Sequence, residues 1–196
     1  MSSILDDSAL DTLFRAARTH NAWQEKPVSD ALLQAVWELA KMPPTSANCS
    51  PMRVLFVRSP EAKARLVPLL LEGNRAKTLK APVTAIIGYD IEFYENLSRL
   101  FPHTDARAWF AGKPELIAAT AFRNGTLQGA YLIMAVRALG LDCGGMSGFD
   151  NAKVDAEFLA DRGWKSNFLV NIGHGDPAGV RPKGPRFAFD EACLLL

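Results

Sequence analysis

Five short polar segments stand at the edges of apolar runs in this 196-residue chain: ARTHNAW (residues 17–23), PPTSANCSP (43–51), GNRAK (73–77), GGMSGFD (144–150) and KGPRF (183–187). Three of them carry Arg or Lys. Together they offer cations and hydroxyls suited to a phosphate, amides and backbone groups suited to the edge of a polar ring, and glycines where backbone must come close. That is equipment for an elongated ligand with an anionic end. PPTSANCSP stands out because it separates an amphipathic stretch from the strand-like RVLFVR, although a turn with helix-capping groups would have the same composition.

Other site chemistries lack their residues. GGMSG departs from the GxGxxG of a dinucleotide loop and follows a long helical stretch without a βαβ context, and no P-loop is present. His20, His103 and His174 have neither metal-ligand spacing nor a GxSxG partner, so no metal site and no hydrolase triad is expected. Cys49, Cys143 and Cys193 are odd in number and far apart, which reads as reduced thiols. Lys and Arg number 22 against 21 Asp and Glu, a net charge of +1 that leaves no footprint for nucleic acid or an anionic membrane surface. MSSILDDSALDTLF has early acids and no basic, apolar leader, and no window approaches the roughly 18 apolar residues of a span, so a cytoplasmic protein is expected.

The elements that must position these segments follow from period and punctuation. With 48% hydrophobic residues the chain can bury one sizeable core. Helices are predicted over residues 8–18, capped by Ser8 with Asp11 three residues on, and over 30–41, capped by Ser29 and stopped by Pro43-Pro44. A strand at 53–58, a helix from Ser59-Pro60 to residue 71, and a strand buried on both faces at VTAIIGY come next. Residues 90–114 mix aromatics and charges without a period and are expected as irregular or short helical structure over a pocket.

Residues 115–139 predict a helix about 37 Å long. From Leu127 onward only Gln128 and Arg137 interrupt its small and apolar residues, so it must be buried nearly all round. In a chain of this size that argues for packing on a symmetry mate, a homodimer. Gly140 ends the helix; a short strand LDCGG, the loop MSGFD, a helix at 152–160 and a last core strand NFLVNIGHG complete an α+β fold with a central mixed β-sheet flanked by helices. The basic, Pro- and Gly-rich tail, residues 176–196, is expected to reach across the partner.

In order and spacing these segments resemble the nitroreductase family of dimeric FMN enzymes, which pass hydride from NADH or NADPH to an acceptor. PPTSANCSPMR, GNRAK followed by APVTAII, and ALGLDCGGMSGFD carry the match, while ARTHNAW, EFYENLSRLFPHTDARAWF and WKSN look most like the branch that reduces malonic semialdehyde to 3-hydroxypropionate in pyrimidine breakdown. The resemblance implies that Arg18 and Asn21, with Thr19 and His20 beside them and Arg186 from the tail, surround the FMN phosphate and ribityl chain. Arg18 is also what a helix C-terminus favours by its dipole. Pro44, Thr45, Ser46 and Asn48 would lie against the flavin of the other subunit, and Asn74 and Lys77 against the isoalloxazine edge, where a cation stabilises the reduced ring. Gly145, Met146, Ser147 and Gly148 would form the loop beneath that ring. Met52 and Arg53 replace the family's usual Trp, and Ser147 its usual Glu. No side-chain nucleophile is implied; Arg107 is the candidate to hold a substrate carboxylate, nitroaromatics or quinones are the alternative acceptors, and a flavin-binding dimer without physiological turnover is the third reading.

Overall fold

A computed structural model describes residues 4–196, so the first three residues of the stretch read for the absence of a leader lie outside the described residues. The chain opens with α1 (Asp7–Leu10), capped by Asp6, whose carboxylate accepts Ala9 N–H at 2.7 Å, and widens into a π-helical turn over Asp11–Arg15. The expected helix to residue 18 is therefore shorter and starts earlier: Arg15, paired at 2.7 Å with both Asp7 and Asp11, closes it. The α2 helix (Asp30–Ala40) carries the predicted Ser29 cap, and Leu33, Val36 and Ala40 form its buried stripe.

After the 43–51 loop come β1 (Met52–Val57), α3 (Pro60–Leu66), α4 (Glu72–Lys80) and β2 (Val83–Asp90). The predicted helix to residue 71 ends at Leu66 because Pro68 has no N–H to continue the ladder, leaving a 3₁₀ turn over Val67–Leu69. Short 3₁₀ turns and α5 (Leu97–Leu100) fill residues 93–109. Then follow α6 (Pro114–Ala138), β3 (Asp142–Met146), α7 (Asn151–Val154) with a further π-helical turn, β4 (Trp164–Gly173) and a small α8 (Phe189–Ala192).

The strands run β1-β2-β4-β3, every ladder antiparallel. The expected mixed sheet is not formed; among the described residues the parallel element is a single bridge, Thr19 to Cys143. Alternation along β2 sends Ala85 and Ile87 into one core with α2 and α6, and Ile86 into a second with Leu66, Leu70, Phe149 and Leu159, so the sheet is the middle of three layers. A third cluster, Cys49, Phe93, Leu97, Ala106, Phe110 and Ala121, binds the 90–112 segment to the 43–51 loop and α6.

Along α6 the small residues mark the close approach to the sheet. A Cβ on Gly129 would stand 2.5 Å from the Phe168 ring, and one on Gly125 2.9 Å from Tyr89. Within the chain only one face of α6 is buried, against the expectation of burial all round; Leu116, Phe122 and Leu127 lie open.

Under the other sheet face sits Lys63, 3% exposed, donating to Thr78 O at 2.8 Å and Thr84 Oγ1 at 2.5 Å. The Thr78 carbonyl belongs to the last turn of α4, where carbonyls lack helical partners and the dipole favours a cation. Burial nevertheless pushes the Lys63 ammonium from 10.5 down to about 8. Between those values the unfolded chain holds a proton that the folded chain has released, so the burial cost is full below about pH 8 and relieved as pH rises towards 10.5. Relative to Lys63→Met, the wild type should gain about 3 kcal/mol across that window in denaturant unfolding. A pH-independent difference would show that the buried amine is not the titrating group.

Candidate functional site

Residues 16–22 leave the π-helical turn as an extended segment beside β3, with His20 N–H donating to Cys143 O at 3.0 Å. The tail returns to the same place: Asp176 N–H donates to Ala22 O at 3.0 Å, and a Cβ on Gly179 would meet that of Ala22 at 2.5 Å. Between segment and tail lies a cleft of about 300 Å³ lined by Arg18, Thr19, Asn21, Arg137, Arg181, Lys183 and Arg186, with no carboxylate on its walls. The tail is pinned here by side chains as well, Arg18 donating to Arg181 O and Lys183 to Arg15 O. Its first half thus folds on its own chain; Phe187, Phe189 and Leu194 beyond it stay exposed.

His20 does not share this cleft. It is 7% exposed, turned inward with Nε2 3.2 Å from Asp142 Oδ1 and Nδ1 packed on Gly175, where a Cβ would come within 1.9 Å. Asp142 also accepts Gly175 N–H at 2.9 Å, so the imidazole and carboxylate pin the chain at the end of β4.

A second group of predicted residues meets at α4 and the end of β3. Asn74 Nδ2 donates to Gly148 O at 2.9 Å, and Leu71 N–H to the same carbonyl at 3.0 Å. Gly145 is exposed with nothing within 4 Å of a Cβ, leaving an open face, and Ser147 is exposed beside it. Met146 is different: it ends β3, buried, with Thr78 Oγ1 donating to its sulfur at 3.6 Å, so it is a core residue here and not part of a loop. Lys77 connects the two groups. Its pKa is lowered by burial and then by the field of Arg181, and its carbonyl accepts Trp23 Nε1–H at 3.1 Å.

The 43–51 loop lies elsewhere, against α6. Ala47, Asn48 and Ser50 all have positive φ (48°, 49° and 38°), a costly run for residues other than Gly. Anchors hold it: Ser46 N–H donates to Asn124 Oδ1 and Met52 N–H to Gln128 Oε1, each at 2.9 Å. Thr45 Oγ1 accepts Ser50 N–H at 3.0 Å, Asn48 Nδ2 donates to Leu100 O at 2.8 Å, and Pro44 O accepts from Tyr131 at 3.4 Å. Within one chain the Thr45 hydroxyl and the Asn48 amide are thus spent on holding the loop in place. Cys49 is sealed beneath them, burial pushing its thiol up to about 11. Met52, 1% exposed, packs in the core, and Arg53 pairs with Asp90 at 2.7 Å.

Arg107 is exposed, and both its Nε and Nη2 donate to Glu95 at 2.7 Å, with the guanidinium 5.9 Å from the Tyr94 ring. A substrate carboxylate would have to displace Glu95. Arg181 and Arg137 in the cleft, and Asn124 and Gln128 as loop anchors, were not among the expected site residues, and Lys183 was expected only as part of the KGPRF segment. The last turn of an apolar helix carrying Arg137, and a tail rich in cations, were the available signals.

Residues 14–174 match the sequence profile of the nitroreductase family. The chain belongs to that family. A Burkholderia lata protein provisionally named NADH dehydrogenase/NAD(P)H nitroreductase is 67% identical over 191 residues, covering 97% of this chain and 98% of its own. A Stenotrophomonas maltophilia protein of the same provisional name is 62% identical over 195 residues, the full length of both. Among solved structures, a protein of Exiguobacterium sibiricum provisionally named a nitroreductase and solved in complex with FMN superposes with a TM-score of 0.85 at 17% identity over the full length of both chains, and one from Bacillus subtilis with the same provisional name superposes with 0.85 at 16%, covering 97% of this chain and 100% of its own. The fold is therefore nitroreductase-like. Among the described residues there is no cluster of metal-ligating side chains and no helix long and apolar enough to cross a membrane.

Proposed function

We propose that the chain is an NAD(P)H oxidoreductase that holds FMN in the cationic cleft and along the band formed by Asn74, Lys77, Gly145, Ser147 and Gly148. The cleft carries this reading: five cations and no carboxylate surround about 300 Å³, in a chain whose net charge is only +1. Such a cluster repels itself until an anion enters, and a phosphate monoester brings nearly two negative charges at neutral pH. The residues also fit the rest of the group, since the open face at Gly145 admits a flat ring and Asn74 is fixed by Gly148 beside it. The Exiguobacterium protein, solved with FMN, supports the cofactor, and the names of the Burkholderia and Stenotrophomonas relatives support NADH or NADPH as donor.

In this reading Arg18 and Arg186 hold the phosphate with Thr19 and Asn21, while Arg181 and Lys183 add charge. The cation at Lys77 faces the ring edge. Bound flavin supplies a carrier that takes up and returns hydride; the chain's residues bind, orient and exclude water. Arg18→Ala should weaken FMN binding by about 1.5–3 kcal/mol, roughly 10 to 150-fold, in flavin titration. The wild type should show a flavin spectrum that NADPH or NADH bleaches and an acceptor restores; a protein that binds no flavin would overturn the reading.

The resemblance to the malonic semialdehyde branch makes that aldehyde the first acceptor, reduced to 3-hydroxypropionate with Arg107 on its carboxylate. The bidentate Arg107–Glu95 pair favours the second reading, broad reduction of nitroaromatics or quinones, because the clamp is already filled. Arg107→Ala separates them. A carboxylate clamp predicts a loss in kcat/KM of about tenfold or more for malonic semialdehyde with an uncharged quinone spared. Equal behaviour on both acceptors assigns Arg107 to the Glu95 pair alone.

A homodimer completes the proposal, supported by the exposed Leu116, Phe122 and Leu127 along α6 and by the separation of the 43–51 loop from the cleft. The loop would then serve the flavin of the partner, with the end of the tail lying across it. Leu127→Asp should yield a monomer with little bound flavin by light scattering and absorbance; a flavin-loaded monomer would refute the shared site.

A further inference from the structure

We infer that Arg137, in the last turn of α6, is a phosphate-binding residue that meets the anion from the helix side of the cleft, an inference that rests on the FMN reading. Its Nε is buried and has no hydrogen-bond partner. A buried, charged N–H without an acceptor is a costly arrangement, and native structures keep it where a ligand or an ordered water arrives. The helix dipole explains a cation at this end of α6, but not a donor left open.

The guanidinium is held in place without being consumed. Nη1 donates to Leu13 O at 3.0 Å and lies 3.8 Å from Met134 sulfur, and the guanidinium also donates to the Cys143 sulfur, so its neighbours are a carbonyl and two sulfurs with no carboxylate. Arg137 also lines a smaller cavity of about 230 Å³ that shares Arg18 with the main cleft. The two acids of that cavity are engaged elsewhere, Asp11 with Arg15 and Asp142 with His20 and Gly175 N–H, and no ion pair joins either to Arg137 among the described residues. What remains is an uncompensated, pre-positioned guanidinium at the wall of an acid-free cationic cleft. A guanidinium fork suits the two-oxygen contact that phosphate offers and that ammonium cannot match.

The ligand class is a phosphomonoester, so the discriminating probe is the pair FMN and riboflavin, which differ only in the phosphate. Apo-protein is titrated with each by flavin fluorescence for the wild type, Arg137→Gln and Arg137→Lys, with melting temperatures recorded alongside. Arg137→Gln should lose roughly 10 to 150-fold in FMN affinity while riboflavin affinity stays unchanged, and Arg137→Lys should recover part of the difference. Equal losses for both flavins would make Arg137 a brace for Leu13, and no loss for either would leave its Nε to water; both outcomes overturn the inference. A wild type that binds the two flavins alike would instead sink the phosphate reading of the cleft. Should Arg137→Gln fail to fold, the Nε–H nitrogen resonance of Arg137 in the wild type must still shift on titration with inorganic phosphate, and a resonance unmoved at saturation contradicts the assignment.

Discussion

The contact on which the architecture depends is the seat of α6 on the sheet, where Gly125 and Gly129 leave no room for a methyl group against Tyr89 and Phe168. Close seating fixes the helix along its length and rotation, and so fixes what its polar residues meet. Asn124 and Gln128, on the buried face, hold the backbone of the 43–52 segment. Three turns on, Arg137 arrives at the cationic cleft. One helix therefore sets the separation between the strained loop and the cleft. The strain at Ala47, Asn48 and Ser50 is tolerated because those anchors over-determine the loop.

Charge is handled in two contrasting ways. Lys63 is buried without a carboxylate but is surrounded by dipoles: a helix-terminal carbonyl, the Thr84 hydroxyl and, through it, Asn171, whose amide reaches Thr78. That network joins α3, α4, β2 and β4 and braces the helix bearing Asn74 and Lys77. In the cleft, by contrast, five cations crowd together, and although Arg18, Lys183, Arg137 and Arg186 each donate to a backbone carbonyl, no acid stands among them. An arrangement that costs stability in the empty chain is what a binding site for an anion requires, since the same repulsion is released when the ligand enters.

The segment over residues 90–112 behaves as part of the frame. Phe93, Leu97 and Phe110 form a small core with Cys49, and Asn48 is tied to Leu100 O at 2.8 Å, so loop and segment pack as one unit. Arg107, spent on Glu95, faces out from it.

Local chemistry made much of this legible in the sequence. The Ser29 cap, the continuous apolar strand VTAIIGY, the long helix ended by Gly140 and the five polar segments all follow from periodicity, capping and turn residues, which act over a few neighbours. The grouping of Arg18, Thr19, Asn21 and Arg186 comes from the family resemblance in order and spacing, and the fold brings those four to one cleft. Tertiary structure alone decided the rest. The sheet is antiparallel throughout because pairing is set between distant strands, which no local pattern specifies. His20 turned from the cleft into the core because Asp142 and Gly175 close on it from the far ends of β3 and β4. Met146 became core, and Arg107 found Glu95, through contacts that neither residue's neighbours announce. Arg181 and Lys183 joined the cleft only because the tail folds back on residues 15–22, and Arg137 because α6 ends there; the charge of each was visible in the sequence, but its address is a long-range property of the packed chain.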